Sequence, residues 1–195
     1  MDYWFGFVGS TWLWPAVYTI LSIHVTAISI TVYLHRYSAH RSLDLHPALQ
    51  HFFRAWLWCC TGMNTKAWTA IHRKHHAVTE SEEDPHSPMI LGLREIMFRG
   101  TEHYRTADTA EIRETYGAGT PADWIERNLY EKHPVLGVGL HGVVLVALFG
   151  AAGIVVWGLQ MAYTPLFGAG VINGVGHSWG YRNFEVDDRS TNIVP

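Results

Sequence analysis

The sequence predicts an all-α integral membrane protein, with about three transmembrane spans and a cytosolic helical cap. Three observations carry this. Residues 12–34 and 134–176 contain no Asp, Glu, Lys or Arg. Charged residues make up only 16% of the 195, against roughly 25% in a soluble domain. Thirteen histidines nearly match the fourteen lysines and arginines, and nine of them lie between His24 and His86. A net charge of −3 gives no electrostatic case for nucleic acid. The two cysteines, Cys59 and Cys60, are adjacent, so they form neither a disulfide framework nor a CxxC zinc pattern.

Residues 12–34 extend roughly 35 Å as a helix, enough for a bilayer core. The basic residues that a cleaved signal would carry before its apolar core are missing, and the segment runs into His35 and Arg36. It reads as a retained span, with Trp4, Phe5, Phe7, Trp12 and Trp14 as an interfacial belt. Residues 35–133 follow as the cap. Within it, His46–Cys60 is apolar enough for a helix on the membrane surface, and Leu91–Tyr104 is amphipathic. GAGT at 117–120 is a break, and Thr120-Pro121 reads as a helix start, Thr capping and Pro in the first position. Residues 134–176 are too long for one span and fit a hairpin, with GAAG at 150–153 or Gly158 as turn or packing sites. Arg36, Arg41 and Arg54 follow the first span, Arg127 and Lys132 precede the hairpin, and Arg182 and Arg189 follow it. By the positive-inside rule the N-terminus lies outside, while 35–133 and 177–195 share the cytoplasmic side.

That topology places three histidine constellations on one side. The first is His35-Arg-Tyr-Ser-Ala-His40. Residues five apart on an α-helix differ by roughly 140° in direction, so the helix must end or loosen for both rings to meet one point. The second is His72-Arg-Lys-His75-His76. His72 and His76 share a helix face and can hold one metal, while His75 is turned by about 100° toward a second. Asn64 and Trp68 extend the stripe of His72 and His76, so Trp68 can floor the site or line a substrate channel, or simply pack. The third is Asn173-Gly-Val-Gly-His177, whose two polar residues lie one helical turn apart. Glu80 and Asp84, from the acidic stretch that ends at Pro85-His86, are candidate acceptors for the second N–H of ligating histidines. His24 lies mid-span and is expected as a neutral histidine bonded inside the bundle near Ser22 or Thr26. His46, His51, His103, His133 and His141 lack partners at ligand spacing and are expected to be structural.

The order HRYSAHR, HRKHHAVTE…DPHSP, a charge-free hairpin and INGVGHSWGYRNFE resembles the integral-membrane fatty acid desaturases across essentially the whole chain, and most of all the bacterial Δ9, stearoyl-CoA-desaturase-like enzymes. The resemblance implies two iron ions on the cytosolic face of a bacterial inner membrane, O₂ as oxidant, and a ferredoxin, rubredoxin or cytochrome with its reductase as electron donor. It assigns His35, His40, His72 and His76 to one iron, and His75 and His177 to the other, with Asn173 holding an iron-bound water. Glu80, Asp84 and His86 surround those ligands, and Trp68, Trp179 and Tyr181 are candidate channel walls. Arg73, Lys74, Arg182 and Arg189 are candidates for a headgroup or CoA phosphate, the alternative being membrane anchors. The substrate implied is the acyl chain of an acyl-CoA or phospholipid. The family carries a further HxxHH box and a membrane hairpin before the first box, and neither is present in these residues. The expectation is therefore a C-terminally incomplete desaturase domain with little or no activity of its own. Two other readings compete: a histidine-box hydroxylase or alkane monooxygenase, and a histidine-rich metal transporter, which would place its ligands near the bilayer midplane.

Overall fold

A computed structural model describes residues 3–9, 11–183 and 191–192, the side chains of Ala169, Asn173 and Ser178 excepted. The regular elements of the described residues are helices joined by turns and loops, and Tyr181 and Asn192 form an isolated antiparallel bridge. The chain divides into two compact units, Met1–Trp68 with Gly119–Ala162, and Thr69–Ala118 with Tyr163–Pro195. Among the described residues, two helices are long and apolar enough to cross a membrane, Leu13–Ala39 with 27 residues and Ala151–Ile172 with 22.

In the first unit, α1 (Leu13–Ala39) carries a stripe of hydroxyl side chains, Tyr18, Ser22, Thr26, Ser29 and Tyr33, spaced three or four apart on one face. A polar atom in an apolar bundle must find a partner, and these do. Ser22 donates to Gln160 Oε1 at 3.0 Å, Gln160 Nε2 donates to Thr26 Oγ1 at 2.7 Å, and Trp56 Nε1 donates to the same oxygen at 2.9 Å. His24 is not part of this seam. It is exposed and bonds the carbonyl of Ile20 on its own helix at 2.7 Å, because its position turns away from the polar stripe.

The second part of α1, Ser29–Ala39, is wound as a π-helix. Thr26 and Ser29 hydroxyls bond the carbonyls of Ser22 and Val25, competing for acceptors at the point where the winding loosens. Next, α2 (Pro47–Thr61) opens with His46 as cap and Pro47 in the first position, and closes at Gly62 with φ +68°. Its inner face, with Phe53 and Leu57, forms a core with Tyr33 and Leu34.

The charge-free run of residues 134–176 is broken at Gly150, within GAAG, one of the two candidate turn sites. Its limbs are α8 (Pro134–Phe149) and α9 (Ala151–Tyr163), α3 to α7 being described below. α8 has 16 residues and is the shorter limb. Gly150 has φ +60°, and a Cβ there would meet the Tyr3 carbonyl oxygen at 2.5 Å. The approach is that close because residues 3–9 cap the turn. The carbonyls of Tyr3 and Trp4 accept from Ala151 N–H and Ala152 N–H, both at 3.1 Å. Gly137 similarly admits the ring of Trp58 from α2. His141 is buried on α8 and hydrogen-bonded to the Tyr18 hydroxyl at 2.8 Å.

The helix expected to start at Thr120-Pro121 starts later. α7 (Glu126–Tyr130) follows Asp123, whose carboxylate accepts Glu126 N–H at 3.0 Å. Asp is at least as good a cap as Thr, and here Arg54 anchors it with bonds of 2.6 and 2.9 Å. The same guanidinium donates to the buried Glu126 at 2.9 Å. Arg54 is what holds Asp123 well below the usual carboxylate range.

α3 (Thr65–Ala77) begins in the first unit and carries its histidines in the second. There, Ala70 and Ile71 pack with Ile112 of α6 (Ala110–Tyr116), which Thr109 caps. Between them lie α4 (Pro88–Leu91), capped by Ser87, and the amphipathic α5 (Leu93–Ala107), separated from α4 by Gly92 at φ +91°. α5 packs along α10 (Thr164–Val175), a second π-wound segment. Its winding begins at Thr164-Pro165, where proline has no N–H for a regular helix bond. One final turn, α11 (Gly176–Ser178), holds His177. Thr191 returns to bond the Gly176 carbonyl at 2.7 Å.

Candidate metal centre

The first histidine pair is made by helix winding. In the π-wound segment the His40 N–H bonds the His35 carbonyl at 3.0 Å, five residues back. Residues five apart therefore stack, and His40 Nε2 lies 3.1 Å from His35 Nε2. An ordinary α-helix would have turned these rings apart. The loosening required by the sequence is present as a change of helical pitch.

The second pair needs no such device. His72 Nε2 and His76 Nε2 are 3.1 Å apart on α3, four residues being one turn. In each pair the separation matches two imidazole donors that are each about 2.1 Å from one metal ion. Asn64 is not on this face. It precedes α3 and caps it, Oδ1 accepting Ala67 N–H at 2.9 Å. Trp68 packs against the Tyr33–Phe53 core of the first unit.

His75 turns inward and is 4% exposed. Its Nδ1–H donates to both oxygens of Asp84, at 2.8 and 2.9 Å. The carboxylate only accepts, so the proton sits on Nδ1 and Nε2 keeps its lone pair. Asp84 also accepts the backbone N–H groups of Glu80 and His86, at 3.0 and 3.1 Å. Its own burial acts to raise its pKa. The bond from His75 and the two backbone donors outweigh this and hold the carboxyl below its usual range.

His177 is arranged in the same way. Its Nδ1–H donates to Glu80 Oε1 at 3.2 Å, and its ring centre lies 5.6 Å from that of His75. Glu80 has φ +61°, a left-handed conformation that costs a non-glycine residue about 1–3 kcal/mol. The Asp84 carboxylate on its N–H holds it there, and the Ser87 hydroxyl donates to its other oxygen. Sequence reasoning passed over Ser87, which is fully buried and also caps α4. The available signal was Ser87-Pro88, a cap followed by proline in the first helical position.

His86 stacks on His75 with ring centres 4.3 Å apart. Burial, reinforced by neighbouring His75, pushes its pKa down to about 3, so the ring is neutral. Its Nε2 is buried without a hydrogen-bond partner among the described residues. A buried orphan nitrogen costs about 1–3 kcal/mol, so this atom favours a further polar group in the cluster. The donor set is neutral imidazole backed by carboxylates, and it fits iron.

Within the first unit the structure brings together His35 and His40. Within the second it brings together His72 with His76, and His75 with His177, Glu80, Asp84 and His86. Asn173 lies in α10, its side chain outside the described set, and Arg189 is outside the described residues. Trp179 and Tyr181 are exposed, 72% and 44%. Arg73 donates to the carbonyls of Tyr116 and Ala118, both at 2.8 Å, so its guanidinium fixes a turn.

Histidine pairs and carboxylate-backed histidines on a helical scaffold with two long apolar helices define a class of protein whose histidine clusters could hold a metal ion. Comparison with known proteins makes this specific. The fatty acid desaturase family matches residues 10–195, and the chain belongs to that family. It is 29% identical to Delta-9 acyl-lipid desaturase 1 of Arabidopsis thaliana over 185 residues, 92% of this chain and 59% of that protein. It is 31% identical to the Delta-9 desaturase-like 1 protein of the same plant over 186 residues, 92% of this chain and 60% of that one. It is 33% identical to an acyl-CoA C20 Delta5-desaturase of Anemone leveillei over 195 residues, 94% of this chain and 57% of that protein. The chain thus spans about three-fifths of the length of the curated relatives it matches.

Proposed function

We propose that this chain carries the metal-binding part of an acyl desaturase, which inserts a double bond at Δ9 into the acyl chain of an acyl-CoA or a lipid. The observation that carries the reading is the second-unit cluster, in which His75 and His177 each commit Nδ1–H to a carboxylate and so present Nε2. In this reading His35, His40, His72 and His76 hold one iron, and His75 and His177 the other. Asn173 contributes through a water.

Bound iron supplies the oxidising power that no amino acid side chain has, which removal of hydrogen from an unactivated methylene requires. The reaction balances when one O₂ takes two electrons and two protons from the substrate, and two electrons from an external donor with two protons from solvent, giving two waters. The protein's part is orientation. Asp84 and Glu80 fix the tautomers of His75 and His177, and the two winding types set the spacing of the paired rings. The relatives whose names specify acyl-lipid and acyl-CoA support an acyl substrate of either carrier. The basic residues flanking the apolar segments support a centre on the cytoplasmic face.

The test is expression, in a host lacking Δ9 desaturation, of a chimaera in which this chain replaces the matching residues of a Delta-9 acyl-lipid desaturase, with mass analysis of extracted acyl chains and an iron count on the purified protein. Loss of two hydrogens at carbons 9 and 10 is expected. Gain of one oxygen would replace the reading with a hydroxylase, and absence of bound iron would overturn it.

A further inference from the structure

We propose that Glu126 is a positioning residue for the histidine-bearing helix α3, acting through Asn64. The proposal rests on the reading of His72, His75 and His76 as iron ligands. α3 starts where Asn64 caps it, Oδ1 accepting Ala67 N–H at 2.9 Å. An asparagine amide can turn over and exchange its oxygen for its NH₂, and only one orientation caps a helix. Glu126 decides the orientation. Its Oε1 lies 2.9 Å from Asn64 Nδ2, and a carboxylate only accepts, so the NH₂ must face it and Oδ1 must face the helix.

Glu126 is itself held. It is 2% exposed, and Arg54, 4% exposed, donates to its Oε2 at 2.9 Å. Arg54 is fixed in turn by Asp123 and lies over the ring of Tyr130, 5.5 Å from its centre. A buried ion pair is poor evidence for stability, because desolvation offsets its attraction, and its best-attested use is to specify one arrangement. Among the described residues, the neutral side chain that the pair contacts at hydrogen-bond distance is the cap of α3. Next to that cap, the Tyr33 hydroxyl pairs with Thr65 Oγ1 at 3.3 Å, in the first turn of the same helix. The network therefore sets where α3 begins, and so the phase of the three histidines along it.

Three variants of the full chain separate positioning from stability. Glu126→Gln keeps size but ends the enforced orientation. Asn64→Ala removes both the cap of α3 and the partner of Glu126. Gly150→Ala strains the turn between α8 and α9 and touches none of these groups. Each is assayed for thermal stability, for protection of the Ala67 amide from hydrogen exchange, and for Fe²⁺ affinity and the visible spectrum of Co²⁺ as a substitute ion. Glu126→Gln and Asn64→Ala are expected to weaken Fe²⁺ binding about 10-fold and to change the Co²⁺ spectrum. Gly150→Ala is expected to lose stability while keeping the wild-type affinity and spectrum. Glu126→Gln with unchanged affinity and spectrum would overturn the proposal, as would parallel losses in Gly150→Ala, and Asn64→Ala gives the same answer if Glu126→Gln fails to fold. No Fe²⁺ or Co²⁺ binding by the wild-type chain would overturn the ligand reading itself, an outcome distinct from binding that ignores Glu126.

Discussion

Replacing Asp84 tests the candidate centre at a buried carboxylate. Asp84→Ala removes the acceptor for three donors at once: His75 Nδ1–H, Glu80 N–H and His86 N–H. The bond from His75 is charge-assisted, and such bonds contribute about 1.5–3 kcal/mol. Loss of a carboxylate behind a ligating histidine typically weakens metal binding about 10- to 100-fold, and each tenfold is about 1.4 kcal/mol, so the two scales agree. A second loss follows from the backbone. Glu80 keeps φ +61° against a cost of about 1–3 kcal/mol, and Asp84 is its anchor. Without that anchor Glu80 relaxes and releases His177 as well. We therefore expect Asp84→Ala to weaken Fe²⁺ binding about 100-fold, and Asp84→Asn, which keeps one acceptor oxygen, about 10-fold. Competition with a chelator of known affinity measures both, with Glu82→Gln as an exposed acidic control. An Asp84→Ala affinity within about twofold of wild type would refute the reasoning, since no arrangement of His75 could then depend on this carboxylate.

Other consequences follow from the same geometry. His72→Ala or His76→Ala is expected to lower the iron bound by the purified protein, and an iron count equal to that of wild type would sink the assignment. Gly150→Ala should destabilise the fold by at least about 1–2 kcal/mol, from positive φ alone, because the added Cβ also meets the Tyr3 carbonyl; an unchanged melting temperature in detergent would contradict the capped turn. Asp123 has a folded pKa below the unfolded value of about 3.9, so its contribution to stability is complete above that pH and is lost as pH falls through the folded value. Melting temperatures should thus show no Asp123-dependent change between about pH 7 and pH 5, and one should appear only below about pH 4, absent in Asp123→Asn. Burial pushes the Cys60 thiol up to about 12, so iodoacetamide at pH 8 should leave Cys60 intact until denaturant is added, which peptide mass mapping reads directly.

Much of the fold was legible because it follows from local rules. Charge-free runs mark the apolar helices, GAAG marks the turn at Gly150, and the i, i+4 spacing of His72 and His76 is itself the geometry of their pair. What escaped the sequence depends on a partner distant in the chain. Thr120 was read as a cap, but Asp123 caps because Arg54 fixes it. His24 was expected inside the bundle, but the polar seam runs through Ser22, Thr26 and Gln160 on another face. Asn64 was placed on the histidine stripe, but its bond to Glu126 makes it the cap before that stripe.

The sequence by itself determined the family, the all-helical class and the residues able to hold a metal, because box spacing and hydropathy are properties of neighbours along the chain. Only the tertiary structure decided which nitrogen of His75 and His177 carries the proton, that Glu80 is held in a left-handed conformation to reach His177, and that His35 meets His40 through a change of helical winding. Each of these depends on where a carboxylate, hydroxyl or carbonyl lies in space, and a hydrogen bond across the fold leaves no period in the sequence.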